Sequence, residues 1–287
     1  MSRGEGAALR LDGVGTELEE IEVRLLLEGI RLSYGYDFRE YALGPLRRGL
    51  VNAMAREGVH TVSAYQDRVL HDASCMQRFL GQVGVNVTSM FRDPELFACI
   101  REEVIPLLKT YPSVRVWVAG CATGEEIYSL AILLDEARVL DHYSIYATDL
   151  NDDTLAVARL GTYPLDRVRR YEDAYQKSGG AGSLSDHYTV DGRNARFSRD
   201  LASRITWARH NLVTDGSFND FHLIVCANVL IYFRPSLQER AHRLMYDSLI
   251  RGGFLALGNR ESLLYCPDRD HYERVREGVN LFRKTRW

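Results

Sequence analysis

The stretch Val114–Ser129, VRVWVAGCATGEEIYS, constrains the fold of this chain more than any other. Its apolar run (Val114, Val116, Trp117, Val118) suits a buried strand, the small residues of AGCATG cannot continue that strand, and a helix opens at Glu125. A strand, a glycine turn and a helix in that order let backbone come close to a ligand, because Gly120 and Gly124 carry no Cβ. Glu125 and Glu126 follow where a phosphate cradle would have lysine, and this turn has none. Acidic groups there suit a ligand that is positively charged or offers hydroxyl and amino donors.

From Val114 onward strands alternate with helices, the signature of an α/β layered sheet. Strands are predicted at Val114–Ala119, Tyr143–Thr148, Ile205–Ala208, Leu223–Ala227, Phe254–Gly258 and Val279–Lys284. Helices fit between them at Glu125–Leu140, Asp152–Arg159 and Ser236–Ile250, with Gly252-Gly253 stopping the last before the next strand. Gly161–Arg204 breaks the alternation. It is polar, holds SGGAGS, and reads as an insertion, partly helical, ending in a small antiparallel ribbon (His187–Val190, Ala195–Ser198).

The first 85 residues read as a helical bundle. Leu18, Ile21, Leu25 and Ile30 follow near-helical spacing, as do Leu46, Leu50 and Met54 after Gly44-Pro45. Two more helices are expected around Val62–Leu70 and Ser74–Val83. The start of the chain has the glycines and charges of a loosely held leader and no secretory signal. The expected domains are 1–85 (helical), 86–112 (a connector and helix) and 113–287 (the α/β domain, with the insertion at about 161–204). Asp93-Pro94-Glu95 predicts an N-cap and first turn for a helix that Pro106 bends or ends.

Composition removes several classes of function. A net charge of -3 argues against a general nucleic-acid binder. No run of about 18 apolar residues is available to span a membrane. The 5 cysteines are widely spaced without a CxxC, as in reduced thiols of a cytoplasm, and the 8 histidines show no metal-ligand spacing.

Further polar residues fall at strand ends. Asp149 closes the second strand where an adenosine ribose would present its hydroxyls, although it could instead cap the helix from Asn151. Asn211, with Leu212, follows another strand and could bond an adenine edge or hold its own loop. In CANVLIYF, Asn228 is a lone amide in an apolar run that needs a partner, Tyr232 suits the site, and Phe233 suits the core. Asn86, Thr88 and Arg92 form a polar cluster just before the α/β domain. S-adenosylmethionine (SAM), with a sulfonium, an ammonium and ribose hydroxyls, meets the description of the ligand.

Together these pieces resemble the CheR family of chemoreceptor glutamate methyltransferases over about residues 20–285. The family's N-x-T-x-F-F-R is similar to Asn86-Val-Thr-Ser-Met-Phe-Arg92, and its T-G-E-E-P-Y-S to Thr123-Gly-Glu-Glu-Ile-Tyr-Ser129. Its A-S/T-D-I/L strand end is similar to Ala147-Thr-Asp-Leu150, and C-R-N-V-x-I-Y-F to Cys226-Ala-Asn-Val-Leu-Ile-Tyr-Phe233. Ala227, Met90 and Ile127 depart from the pattern, standing for an arginine, an aromatic and a proline.

The resemblance implies a class I, Rossmann-like SAM-dependent methyltransferase sheet with a helical N-terminal domain and a small inserted antiparallel β-subdomain. It implies SAM contacts from Asn86, Thr88, Arg92, Glu126, Asp149, Asn211, Leu212, Asn228 and Val229, to which the turn adds Gly120, with Arg92 and Tyr232 flanking the transferring methyl and the acceptor carboxylate. The implied partners are acidic cytoplasmic helices of chemoreceptors, docked on a basic face carrying Arg39, Arg47, Arg48 and Arg56. No nucleic acid, no membrane insertion and a monomer are expected. The Asp191–Phe197 stretch looks shorter than in relatives whose β-subdomain binds a receptor's C-terminal peptide. Two alternatives stand beside this reading: a SAM-dependent methyltransferase of another protein or small molecule, and a SAM- or S-adenosylhomocysteine-binding signalling module without catalysis. Asn228-Val-Leu-Ile lacks the Asn/Asp-Pro-Pro-aromatic turn common in amino-methyltransferases of this fold, which favours an oxygen acceptor.

Overall fold

The computed structural model describes residues 17–83, 88–138 and 143–286. The chain divides into two compact units, Met1–Val85 and Asn86–Trp287.

The first unit is helical: α1 (Glu17–Tyr34), α2 (Leu43–Glu57), α3 (Val62–His71) and α4 (Ala73–Val83). α1 packs on α3 and α2 on α4. The second contact is close at Gly49, where a Cβ would come within 2.7 Å of the Gln82 carbonyl oxygen. The helix expected from Leu18, Ile21, Leu25 and Ile30 is present, but its inner face is different. Val23, Leu26, Leu27 and Ile30 are buried, whereas Leu18, Ile21 and Leu25 are exposed. α1 carries two apolar stripes, and spacing alone does not say which one meets the core. The leader expected at the start of the chain lies outside the described residues up to residue 16.

The second unit holds, in chain order, β1 (Val114–Ala119), β2 (Tyr143–Asp149), β3 (Thr162–Pro164), β4 (Tyr188–Asp191), β5 (Asn194–Phe197), β6 (Ile205–Arg209), β7 (Phe221–Cys226), β8 (Leu249–Leu257), β9 (Tyr272–Arg274) and β10 (Leu281–Lys284). Its main sheet runs β6-β2-β1-β7-β8-β10-β9. The first five strands of that order are parallel, and β10 runs antiparallel to both β8 and β9. Every residue of β7, and all but Arg115 of β1, is buried, as a sheet covered on both faces requires. The chain leaves β1 for β2 and β6 on one side and returns to β7 on the other. The order therefore reverses beside β1 and opens a crevice at the carboxyl ends of β1 and β7.

The remaining helices are α5 (Pro94–Cys99), α6 (Ile105–Leu108), α7 (Glu125–Glu136), α8 (Asp152–Leu160), α9 (Leu165–Arg169), α10 (Glu172–Lys177), α11 (Arg199–Ser203) and α12 (Pro235–Ser248). The end expected for the first crossover helix, Leu140, lies outside the described residues. Asp93 stands at the N-cap position of α5 without capping it, and instead accepts a hydrogen bond of 2.7 Å from Asn259 Nδ2. A wide π turn at Ile100–Val104 precedes Pro106 and absorbs the hydrogen bond that proline cannot donate. Gly252-Gly253 does not stop a helix. α12 has already ended at Ser248, where the buried Lys284 ammonium donates to the carbonyls of Tyr246 and Leu249, and the glycines lie inside β8. There Gly252 takes φ 79° and Gly253 faces the Phe221 carbonyl where the β7–β8 register shifts.

The insertion is a three-stranded antiparallel sheet, β3-β5-β4, with α9, α10 and α11 around it. Its third strand, β3, is only three residues long and gives no period to read. Glu136, at the end of α7, ties this subdomain down. Its carboxylate accepts from Arg101 at 2.7 Å and from the Tyr175 hydroxyl, and lies 3.1 Å from His187 Nε2. Burial alone would raise its pKa, but these three partners outweigh it and hold the carboxyl down at about 2. Its folded pKa lies below its ordinary value of 4.5, so the stabilisation is complete above about pH 4.5 and is lost as the pH falls toward 2. Glu136→Gln is therefore expected to destabilise by about 3 kcal/mol at pH 7. In urea melts the gap between wild type and variant should close between pH 4.5 and 2, and a gap independent of pH would contradict it.

Candidate active site

Three loops meet at the crevice: the turn after β1, the end of β2, and the loop after β7. Gly120 and Cys121 both donate backbone N–H to the Thr148 carbonyl, at 2.8 and 2.9 Å, which joins the turn to β2. Asp149 continues the link. Its Oδ2 accepts from Ala122 N–H at 2.9 Å and its Oδ1 from Asn151 N–H at 3.0 Å. The helix that Asp149 could have capped is capped by Asn151, whose side chain accepts from Asp153 N–H. Burial raises the Asp149 pKa against these hydrogen bonds.

The two acids after the turn have different environments. Glu125 is fully buried, accepts from the Thr123 hydroxyl at 2.6 Å, and meets Arg167 at 2.7 Å in an ion pair without hydrogen-bond alignment. Glu126 has no hydrogen-bond partner among the described residues. Burial first, and then the charges of Asp93 and Glu261, push its carboxyl up to about 8, and Arg92 pulls it back. Burial also raises the pKa of Glu125, Asp93 and Asp149, so the crevice gathers four acidic side chains against the two nearby cations Arg92 and Arg167. Such a lining is complementary to a cationic ligand.

Thr88 and Arg92 lie on the segment before α5, whereas Asn86 lies outside the described residues. Phe91 anchors this segment. It is fully buried, packs edge-on to Phe97 and Tyr175, and donates its N–H to Ser129 Oγ at 2.9 Å from a left-handed backbone, φ 49°. Arg92, next to it, is exposed. Met90 and Ile127, which depart from the family pattern, are fully buried apolar residues of the core.

Two residues of the insertion reach back to hold the loops. The Tyr163 hydroxyl donates to the Thr123 carbonyl at 2.8 Å, and Arg167 donates to the Thr88 carbonyl at 2.8 Å. At the third loop, Asn228 takes φ 62° and its side-chain amide has no partner among the described residues. Val229 packs against the first turn, with Cγ2 2.5 Å from the point where a Gly120 Cβ would stand. Tyr232, half-buried, ends a short 3₁₀ turn, and Phe233 is buried. Asn211 holds its own loop through Oδ1, which accepts from Val213 N–H at 2.9 Å, and its Nδ2 has no partner among the described residues; Leu212 is buried.

Sequence reasoning passed over Glu261, which is 6% exposed and holds the third loop. It lies in GNRESLLY, flanked by Arg260 and Ser262 with no strand or helix around it, so nothing in the local pattern marked it. Tyr163 and Arg167 were hidden for a similar reason, inside an insertion with no readable period.

In the helical unit, Arg39 is paired with Asp37 at 2.7 Å and Glu28 at 3.2 Å, and Arg47 with Glu20 at 3.4 Å. Arg48 and Arg56 are exposed on α2 without a partner among the described residues. The basic face expected from the sequence is thus half neutralised by the unit's own acids.

A parallel sheet that reverses beside β1, ends in an antiparallel hairpin, and carries an acidic crevice at its switch point defines a Rossmann-like SAM-dependent methyltransferase. Residues 86–278 match the SAM-binding domain of CheR methyltransferase, and residues 21–83 match its all-alpha domain. The chain therefore belongs to the CheR methyltransferase family. It is 43% identical to Cher3 of Pseudomonas putida over 93% of this chain and 97% of that one. It is 30% identical to a chemotaxis protein methyltransferase of Listeria innocua over 83% of this chain and 89% of the other. An uncharacterized 104.1 kDa protein of Rhodobacter capsulatus is 33% identical over 85% of this chain, which spans 26% of that longer protein. No helix among the described residues is long and apolar enough to cross a membrane.

Proposed function

We propose that the chain transfers the methyl group of SAM to glutamate side-chain carboxylates of chemoreceptors, leaving glutamate methyl esters and S-adenosylhomocysteine. The observation that carries this reading is an exposed arginine, Arg92, close enough to act on Glu126 in a crevice otherwise lined with carboxylates. The carboxylates suit a cationic donor, and the arginine suits an anionic acceptor. The chemotaxis methyltransferase names carried by relatives in Listeria innocua and Pseudomonas aeruginosa support chemoreceptors as the acceptor proteins.

Bound SAM supplies an electrophilic methyl on a sulfonium. In this reading Glu126 receives the ammonium, Asp149 the ribose hydroxyls, and Asn211, with Leu212, an adenine edge. Asn228 and Val229, with Gly120 and Thr88, complete the wall, and Asn86 is a further SAM contact by the family resemblance. Arg92 grips the acceptor carboxylate through its planar fork and never competes as an acid, and Tyr232 flanks the same point. No general base is needed, because a glutamate is ionised at neutral pH. The protein's work is alignment and exclusion of water, which is worth about 7–11 kcal/mol in favourable cases. Arg48 and Arg56 are the cations ready to meet an acidic receptor helix, while Arg39 and Arg47 would first have to leave their own acids. Incubation with labelled SAM and receptor membranes should give methyl that mild base releases and that maps to receptor glutamates; base-stable label would sink the proposal.

A further inference from the structure

We infer that Glu261 is a positioning residue for methyl transfer, its carboxylate acting as a built-in anion around which the Asn228–Tyr232 loop is wound. The inference rests on the reading of that loop as part of the SAM and acceptor site. Glu261 Oε1 accepts backbone N–H bonds from Val229 at 2.8 Å, Leu230 at 2.7 Å and Ile231 at 3.4 Å. Its Oε2 accepts from Asn228 at 2.9 Å and Gly258 at 2.8 Å. Successive N–H groups turned toward one point form an anion-binding concavity, and here a side chain of the same protein fills it. These bonds leave the loop's N–H groups satisfied and set the direction of the residues on either side. Asn228, held with φ 62°, keeps its side-chain amide clear of other protein partners among the described residues, and Tyr232 follows directly.

Two further features belong to the same arrangement. Gly258 leaves room for it: a Cβ there would come within 2.8 Å of Asn228 Nδ2 and 2.9 Å of Glu261 Oε2. Asn280 fixes the backbone of the Glu261 loop from β10's side, donating through Nδ2 to the carbonyls of Gly258 at 3.0 Å and Glu261 at 2.7 Å. A loop that needed only to be stable could be tied by ordinary turns. One carboxylate serving four consecutive amides of the loop instead makes loop shape depend on a single group.

Glu261 also acts through space on Glu126, which faces Asp93, Arg92, Cys121 and Cys226 as well. Its negative charge makes Glu126 harder to ionise. This supplies a readout that a purely structural role would not move.

The test uses Glu261→Gln and Gly258→Ala in the full chain, with S-adenosylhomocysteine as the probe. Glutamine keeps the shape of Glu261, but turns one acceptor into a donor that opposes the loop's N–H groups. Calorimetry at pH 9, where Glu126 is ionised in wild type and variants alike, should show binding weakened about tenfold or more in both variants. In Glu261→Gln the midpoint of the pH dependence of binding should also move to lower pH. Unchanged affinity and midpoint in a folded Glu261→Gln protein would overturn the inference, even if its melting temperature fell. If that variant does not fold, Gly258→Ala decides: it displaces the carboxylate without removing it, and wild-type affinity would overturn the inference. The probe involves no acceptor, so a negative result here is separate from failure to methylate receptors.

Discussion

Replacing Arg92 by alanine lowers methyl transfer by about a hundredfold or more while the protein stays folded. The fold survives because Phe91, and not Arg92, anchors the segment, through a fully buried ring and an N–H bond to Ser129. In the proposed function, what is lost is the fork that holds the acceptor carboxylate in line. Arg92 also lowers the pKa of Glu126, so its removal weakens SAM binding near neutrality for a second reason. Single-turnover rates at saturating SAM and pH 8.5 separate the two effects. Arg92→Lys keeps the charge without the planar fork and should fall between wild type and alanine. Near-normal transfer by Arg92→Ala would remove the assignment.

S-adenosylhomocysteine binding tightens about tenfold for each pH unit between 6 and 8 and levels off above that. The sign follows from Glu126. With a carboxyl pushed up to about 8, the ligand-free protein holds a proton there at neutral pH. With Glu126 receiving the ligand's ammonium as proposed, binding takes the ionised form and must expel that proton, and the cost disappears once the pH exceeds the pKa. Titration calorimetry in buffers of different ionisation enthalpy should detect close to one proton released at pH 7. Glu126→Gln should bind weakly at every pH with a flat profile, and an unchanged slope in that variant would assign the proton elsewhere. At any pH below that midpoint, a small alkaline shift would raise occupancy of the site.

Much of the second unit was legible because its elements are long enough to show a period or a clear boundary. β1 begins and ends where the apolar run Val114–Ala119 does, and α7 begins at the Glu125 that follows the turn. What failed to show was of two kinds. β3 and β9, each three residues long, exist only because a neighbouring strand completes them. α1 has two apolar faces, and only tertiary packing selects Val23, Leu26, Leu27 and Ile30. At the site, residues next to a motif could be read and residues acting from a distance could not. Glu126 stands in the first turn of α7, just after the β1 turn, and Asp149 ends β2, both where a ligand is expected. Glu261, Tyr163 and Arg167 work through backbone atoms of other segments, and a hydrogen bond to a backbone amide leaves no trace in the partner's identity. Asp93 shows the same limit in reverse. Asp-Pro-Glu reads as a helix cap, yet its carboxylate is turned to Asn259, 166 positions away.

Phe91, Ala122 and Asn228 share a left-handed backbone that L-residues seldom adopt, with φ of 49°, 48° and 62°. One stands in each of three segments at the crevice, and each costs up to about 1–3 kcal/mol that the rest of the fold must cover. Glycine at Ala122 would relieve that cost at once, which makes its absence informative. A chain selected only for durability would drift toward glycine there. Keeping a side chain at this bend trades stability for a loop that cannot relax, so variants screened for heat resistance alone should be checked for loss of turnover.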